Sequence, residues 1–110
     1  MDKNCALDAF AALSQSTRLD VFRLLIKAGD TGMSAGDISD TLGVRQNTMS
    51  ANLGVLARSG LIRSMREGRS IRYFADMDGM RGLLAFLMED CCGGRPELCQ
   101  PVINELACAC

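Results

Sequence analysis

Ser34-Ala35-Gly36-Asp37-Ile38-Ser39-Asp40-Thr41-Leu42-Gly43-Val44-Arg45-Gln46-Asn47-Thr48-Met49-Ser50-Ala51-Asn52-Leu53 reads as two helices joined by a turn. Ser34 precedes an apolar-periodic segment with Asp37 three residues on, the pattern of an N-cap with an acid near the positive helix end. Ile38 and Leu42 share one face of this short helix. Gly43 is placed to end it in a left-handed conformation, with Val44 plugging the turn. A second helix is predicted from about Arg45 to Ser59, with Met49, Leu53 and Leu56 at helical spacing and Val55 flanking the stripe. Gln46, Asn47, Thr48, Ser50 and Asn52 gather polar side chains at its start. Gly60 closes it.

Outward from this unit toward the C-terminus, Leu61-Ile62 and Ile71-Arg72-Tyr73-Phe74 read as two strands joined across Met65-Arg66-Glu67-Gly68-Arg69, with Gly68 supplying the turn. A β-hairpin directly after a helix-turn-helix is a wing. A helix-turn-helix pattern alone also occurs in packed helical domains that never meet nucleic acid, so charge has to decide. Between residues 45 and 72, Arg45, Arg58, Arg63, Arg66, Arg69 and Arg72 face only Glu67. That segment carries +5, and the rest of the chain carries −6 of the net −1. Arginines concentrated on one segment of an otherwise acidic chain suit a phosphate backbone better than a merely solvated face. Arg45, Gln46, Asn47, Thr48, Ser50 and Asn52 are therefore the expected base-side contacts, and Arg66, Arg69 and Arg72 the expected wing contacts.

Toward the N-terminus, Leu7 to Leu13 gives a short apolar helix with Leu7, Phe10 and Ala11 on one side, a helix that wants a partner surface. Ser14-Gln15-Ser16 breaks it. Ser16 or Thr17 is placed to cap the next helix, Arg18 to Ala28, whose Leu19, Phe22, Leu25 and Ile26 are expected to face a core. After the wing, Asp76 or Asp78 is placed to cap a last long helix running to about Cys92, with Met80, Leu83, Leu84, Leu87 and Met88 in a broad apolar stripe. The expected fold is thus mainly α with a β-hairpin, in the order αααα-ββ-α, with residues 1–92 as one winged helix-turn-helix domain. The stripe is wider than so small a domain needs, so first and last helices are expected to pair in a homodimer. Residues 93–110, punctuated by Pro96 and Pro101, read as an irregular tail.

The totals agree with a single domain of 110 residues. A pI near 5.3 argues against a general coat for nucleic acid while leaving room for a local basic site. No apolar run approaches the roughly 18 residues that span a bilayer, and Met1-Asp2-Lys3-Asn4 lacks a secretory pattern, so a cytoplasmic protein without a membrane partner is expected.

Five of the six cysteines follow residue 90, and there is no histidine. A mixed cysteine–histidine zinc site and a cysteine–histidine catalytic pair are both excluded. Cys91 and Cys92 stand where the last helix is expected to end, Gly93-Gly94 lets the chain reverse, and Cys99 follows. Adjacent helical positions diverge by roughly 100°, so the pair chelates one ion only where the helix frays. A single cysteine is usually a small buried hydrophobe, but this density points to soft-ion chemistry. Three thiolates suit a pyramidal ion with a lone pair, such as trivalent arsenic; zinc needs a fourth from Cys108 or Cys110. Both remain open on the residues alone. A thiol redox enzyme using Cys108 and Cys110 would have neither a base nor a use for the wing, and a metal-storage protein would take more than one ion per chain. Cys5 is expected to be inert.

Leu13-Ser14-Gln15-Ser16-Thr17-Arg18-Leu19, Gln46 to Leu53, Val55 to Ile62 and Arg66-Glu67-Gly68-Arg69 together resemble the ArsR family of metalloregulatory repressors, over roughly residues 6 to 92. The resemblance implies a winged-helix dimer that releases operator double-stranded DNA on binding a metal or metalloid. The best-known arsenic-responsive members carry cysteines near the first helix of the DNA-binding unit, where this chain has none between Cys5 and Cys91. Other members place a cysteine pair and a downstream cysteine at the end of the last helix, which implies Cys91, Cys92 and Cys99 as the site, with Cys108 and Cys110 as accessory thiols. Asn52 stands where the family usually has histidine. The expected function is a repressor with arsenite as inducer and no catalytic cofactor. Cadmium, lead, zinc or thiol oxidation are the alternative signals.

Overall fold

The computed structural model describes residues 1–89 and 96–106. Helices α1 (Lys3–Leu13) and α2 (Ser16–Ala28) are followed by a 3-10 turn and a two-residue strand β1 (Met33–Ser34). Then come α3 (Ala35–Leu42), α4 (Gln46–Arg58), the hairpin β2 (Ile62–Glu67) and β3 (Ser70–Ala75), and helices α5 (Met77–Leu87) and α6 (Pro96–Leu106). The architecture is a winged helix-turn-helix, mostly helical with a small antiparallel sheet in the order β1-β3-β2.

Local chemistry sets most boundaries. Ser34 Oγ accepts from the Asp37 amide at 3.1 Å, and Gly43, at φ 66° and ψ 34°, ends α3 in the left-handed region. Asp76 caps α5, its Oδ1 accepting from the Gly79 amide at 3.1 Å. Gln15, rather than Ser16 or Thr17, caps α2 through the Arg18 amide at 2.9 Å. The hairpin is longer than its apolar residues indicate: Glu67 pairs with Ser70, so Met65, Arg66 and Glu67 belong to β2 and only Gly68-Arg69 forms the loop. Gly68 at φ 61° satisfies the positive φ that such two-residue turns require.

The core joins Val21, Phe22 and Leu25 of α2 to Ile38 of α3, Met49, Leu53 and Leu56 of α4, and Leu61, Ile62 and Leu83. Leu19 and Ile26, expected to face this core, are exposed on the other side of α2. Helix α1 buries Ala6, Ala9 and Ala12 and packs Leu13 against the core, so it lies close to the body while Leu7 and Phe10 are exposed.

Two C-terminal elements differ from the expectation. The last long helix ends at Leu87, not near Cys92: Met88 donates to Leu84 O, and the Glu89 amide turns to Phe86 O in a tightened final turn. The tail is not irregular throughout, because α6 occupies residues 96–106. Pro96 at the first helical position costs no hydrogen bond, and Cys99, Val102, Ile103 and Leu106 follow helical spacing, so Pro101 is carried inside the helix rather than ending it. Of the thiol positions, Cys91, Cys92, Cys108 and Cys110 lie outside the described residues.

Candidate nucleic-acid interface and thiol region

Helix α4 divides cleanly between core and surface. Met49, Asn52, Leu53 and Leu56 are buried, while Arg45, Gln46, Asn47, Thr48 and Ser50 are exposed at its start. The N-cap residue Arg45 is extended and makes no side-chain bond to the first turn. Asn47 Oδ1 accepts from the Thr48 amide at 2.8 Å. A helix start with polar side chains and its backbone donors turned outward is suited to phosphate oxygens and base edges.

The hairpin carries further basic side chains. Arg66 and Arg69 are exposed and have no ion-pair or hydrogen-bond partner among the described residues. Arg72 is placed differently from the expectation. Its Nε donates to Glu67 Oε1 at 2.7 Å, and its Nη1 donates to the carbonyls of Thr31 and Gly32, each at 3.1 Å. It therefore clamps the wing to the turn before β1. Arg63 lies over the Phe74 ring, 4.5 Å from its centroid, where it covers the hairpin base.

Asn52 is also placed differently. Only 8% exposed, it turns inward, and its Oδ1 accepts from Arg18 Nη1 at 3.3 Å. The family-type segment around Arg18 was visible in the sequence, but nothing there disclosed that this arginine reaches α4.

Of the cysteines, Cys5 is exposed and free. A hydrogen bond to Asp2, with that carboxylate's charge, pushes its thiol above the ordinary range, which makes it a poor thiolate ligand. Cys99 is buried on α6 and is disulfide-bonded. It lines an apolar cavity of about 380 Å³ with Leu84 and Leu87 of α5, Met88 just after it, and Val102 and Ile103 of α6. No group of three potential ligands gathers among the described residues, and none of the described helices is long and apolar enough to cross a membrane.

A helix-turn-helix domain family (HTH_20) matches residues 13–64. An HTH-type transcriptional regulator of Bacillus subtilis (strain 168), YbzH, is 30% identical over 93 residues, which cover 74% of this chain and 93% of that protein. An ArsR-like transcriptional regulator from Rhodococcus sp. RHA1 superposes with a TM-score of 0.71 at 26% identity, over 97% of this chain and 96% of that one. The chain belongs to the helix-turn-helix transcriptional regulators, and in structure it is similar to ArsR-like members. The homodimeric winged helix-turn-helix DNA-binding domain Mb0332 from Mycobacterium bovis is similar too, with a TM-score of 0.65 and 26% identity over 79% of this chain and 81% of that one. As a helix-turn-helix regulator the protein is a DNA-binding module rather than an enzyme. The Rhodococcus match extends beyond the winged helix, so the shared shape takes in more than the DNA-binding unit.

Proposed function

We propose that this regulator is a homodimeric repressor that holds operator DNA and releases it when trivalent arsenic binds Cys91, Cys92 and Cys99, with Cys108 and Cys110 as accessory thiols. The observation that carries the DNA half is the exposed polar start of α4 together with Arg66 and Arg69 of the hairpin, which are exposed and without an ion-pair partner among the described residues. Two such surfaces roughly 34 Å apart meet successive major grooves on one face of a duplex.

Dimerisation is supported by the apolar faces left uncovered on α1 and α5. Leu7 and Leu87 are 54% and 52% exposed, and Phe10, Leu84 and Met88 accompany them. The Mycobacterium bovis relative is itself described as homodimeric.

The inducer half rests on donor chemistry. Arsenite exchanges its three hydroxyls for three thiols, each thiol giving up its proton and each hydroxyl leaving as water. The product is a neutral trithiolate that suits an apolar surrounding such as that of Cys99. Couplings between sites of about 1–3 kcal/mol, roughly 5- to 150-fold in affinity, suffice to lift repression. A second reading keeps the repressor and makes thiol oxidation the signal; the disulfide at Cys99 favours it.

The two readings separate on the Cys99→Ser variant. Arsenic in control requires reduced wild-type protein to take up one arsenite per chain and the variant to lose that response. Release by oxidant alone, with arsenite inert toward the reduced protein, would transfer the role to oxidation.

A further inference from the structure

The guanidinium of Arg18 is hydrogen-bonded to both the outer helix α1 and helix α4. Its Nε donates to Ala12 O at 2.7 Å, at the end of α1, and its Nη2 to Ala11 O at 3.4 Å, an oxygen that also accepts from the Ser14 hydroxyl at 2.8 Å. Its third arm, Nη1, donates to Asn52 Oδ1 at 3.3 Å, 34 residues away in sequence. Arg18 is itself fixed from behind, because its amide is bound by the Gln15 cap. Asn52 is buried, in the same helix as the exposed Gln46, Asn47, Thr48 and Ser50.

We infer that Arg18 and Asn52 are positioning residues for operator recognition: the pair fixes the recognition helix relative to α1, and through it relative to the second half-site. This inference rests on the dimeric repressor reading. Neither residue needs to touch DNA. A planar guanidinium holds three acceptors in fixed directions, which an ammonium does not reproduce, so Arg18→Lys keeps the charge and loses the bridge. Phosphate attraction depends on charge alone and tolerates a small rotation of α4, whereas base readout and half-site spacing do not. The pair therefore governs preference for the right sequence rather than affinity for DNA in general.

The test uses the full chain with Arg18→Lys, Asn52→Ala, the double variant, and Asn52→Asp, which restores an acceptor. Each is titrated against a labelled duplex from the gene's own upstream region and a scrambled duplex of equal length, while amide exchange is followed in the DNA-free protein. The two single variants are expected to lose about tenfold in preference for the upstream duplex, on the scale of one charge-assisted hydrogen bond. The double variant is expected to lose no more than the worse single one. Binding to the scrambled duplex stays within about twofold on the same electrostatic grounds, and Asn52→Asp recovers the preference. Exchange rises in both the end of α1 and the start of α4 in either single variant. Additive losses, equal weakening on both duplexes, or exchange changes confined to the mutated helix would overturn the inference. If wild type shows no preference between duplexes, the repressor reading fails, and the exchange result alone still decides whether the bridge positions α4.

Discussion

Arg72 and Glu67 face each other across the wing, Nε to Oε1 at 2.7 Å, and the same arginine reaches back to the carbonyls of Thr31 and Gly32. The single carboxylate in the basic segment is thus taken by the arginine that braces the hairpin, which leaves Arg66 and Arg69 without an ion-pair partner among the described residues. Replacing Arg72 by alanine is expected to cost stability, by about 1–2 kcal/mol after discounting for its partial exposure. Arg66→Ala and Arg69→Ala are expected to leave the melting temperature in place and weaken all duplexes alike. Each lowers the dependence of log affinity on log salt by about one. Melting curves and salt-dependent anisotropy on the three variants check the division of labour.

Gly32 turns the chain into β1 at φ 63°, and a Cβ there would stand 2.6 Å from both a Phe74 ring carbon and the Tyr73 carbonyl oxygen. Gly79 lets the start of α5 pass against the Gly60 carbonyl, which a methyl group would overlap. Alanine at either position is expected to destabilise by about 1–3 kcal/mol. The midpoint of thermal unfolding should fall by about 4–8 °C per kcal/mol in a domain of this size. Alanine at Gly54, within helix α4, serves as the comparison, with a much smaller effect.

Leu7 on α1 and Leu87 on α5 are each more than half exposed. Lysine at either site removes apolar area from the proposed dimer face without entering the core. Sedimentation is expected to show monomers with unchanged helical circular dichroism, and operator affinity should fall because the two half-sites are no longer linked. A dimer that survives both substitutions would place the interface elsewhere.

Asp2 caps α1 by accepting from the Cys5 amide at 2.8 Å, which holds its carboxyl below the usual carboxylate range. A depressed carboxyl stabilises the fold fully above its unfolded value, and the contribution disappears as pH falls through the folded one. The same Asp2 raises the Cys5 thiol. Cys5 should therefore alkylate more slowly than a free thiol near pH 8, and Asp2→Asn, which retains a good cap, should speed it. Mass spectrometry of timed iodoacetamide reactions reads this directly.

Much of the DNA-binding unit was legible because local chemistry dictates it: Ser34, Gly43, Gly60, Gly68 and Asp76 act through their own backbone or the next turn. Strand β1 was not legible, since Met33-Ser34 becomes a strand only by pairing with Tyr73 and Arg72. Helix α6 was hidden by Pro101, whose reputation as a breaker outweighed the spacing of Cys99, Val102, Ile103 and Leu106. Asn52 and Arg72 looked like DNA contacts because sequence reports their polarity and helix position. Their partners, Arg18, Thr31 and Gly32, lie 34 to 41 residues away and were invisible to it.

The most direct test of the repressor account is fluorescence anisotropy of a labelled duplex from the gene's own upstream region, titrated with reduced protein and then with arsenite, cadmium and zinc separately. Tight binding reversed by arsenite at about one equivalent per chain is the expected result, within the range of known allosteric couplings. Reversal only by another ion would contradict the choice of inducer, and no binding even at low salt would contradict the repressor reading itself.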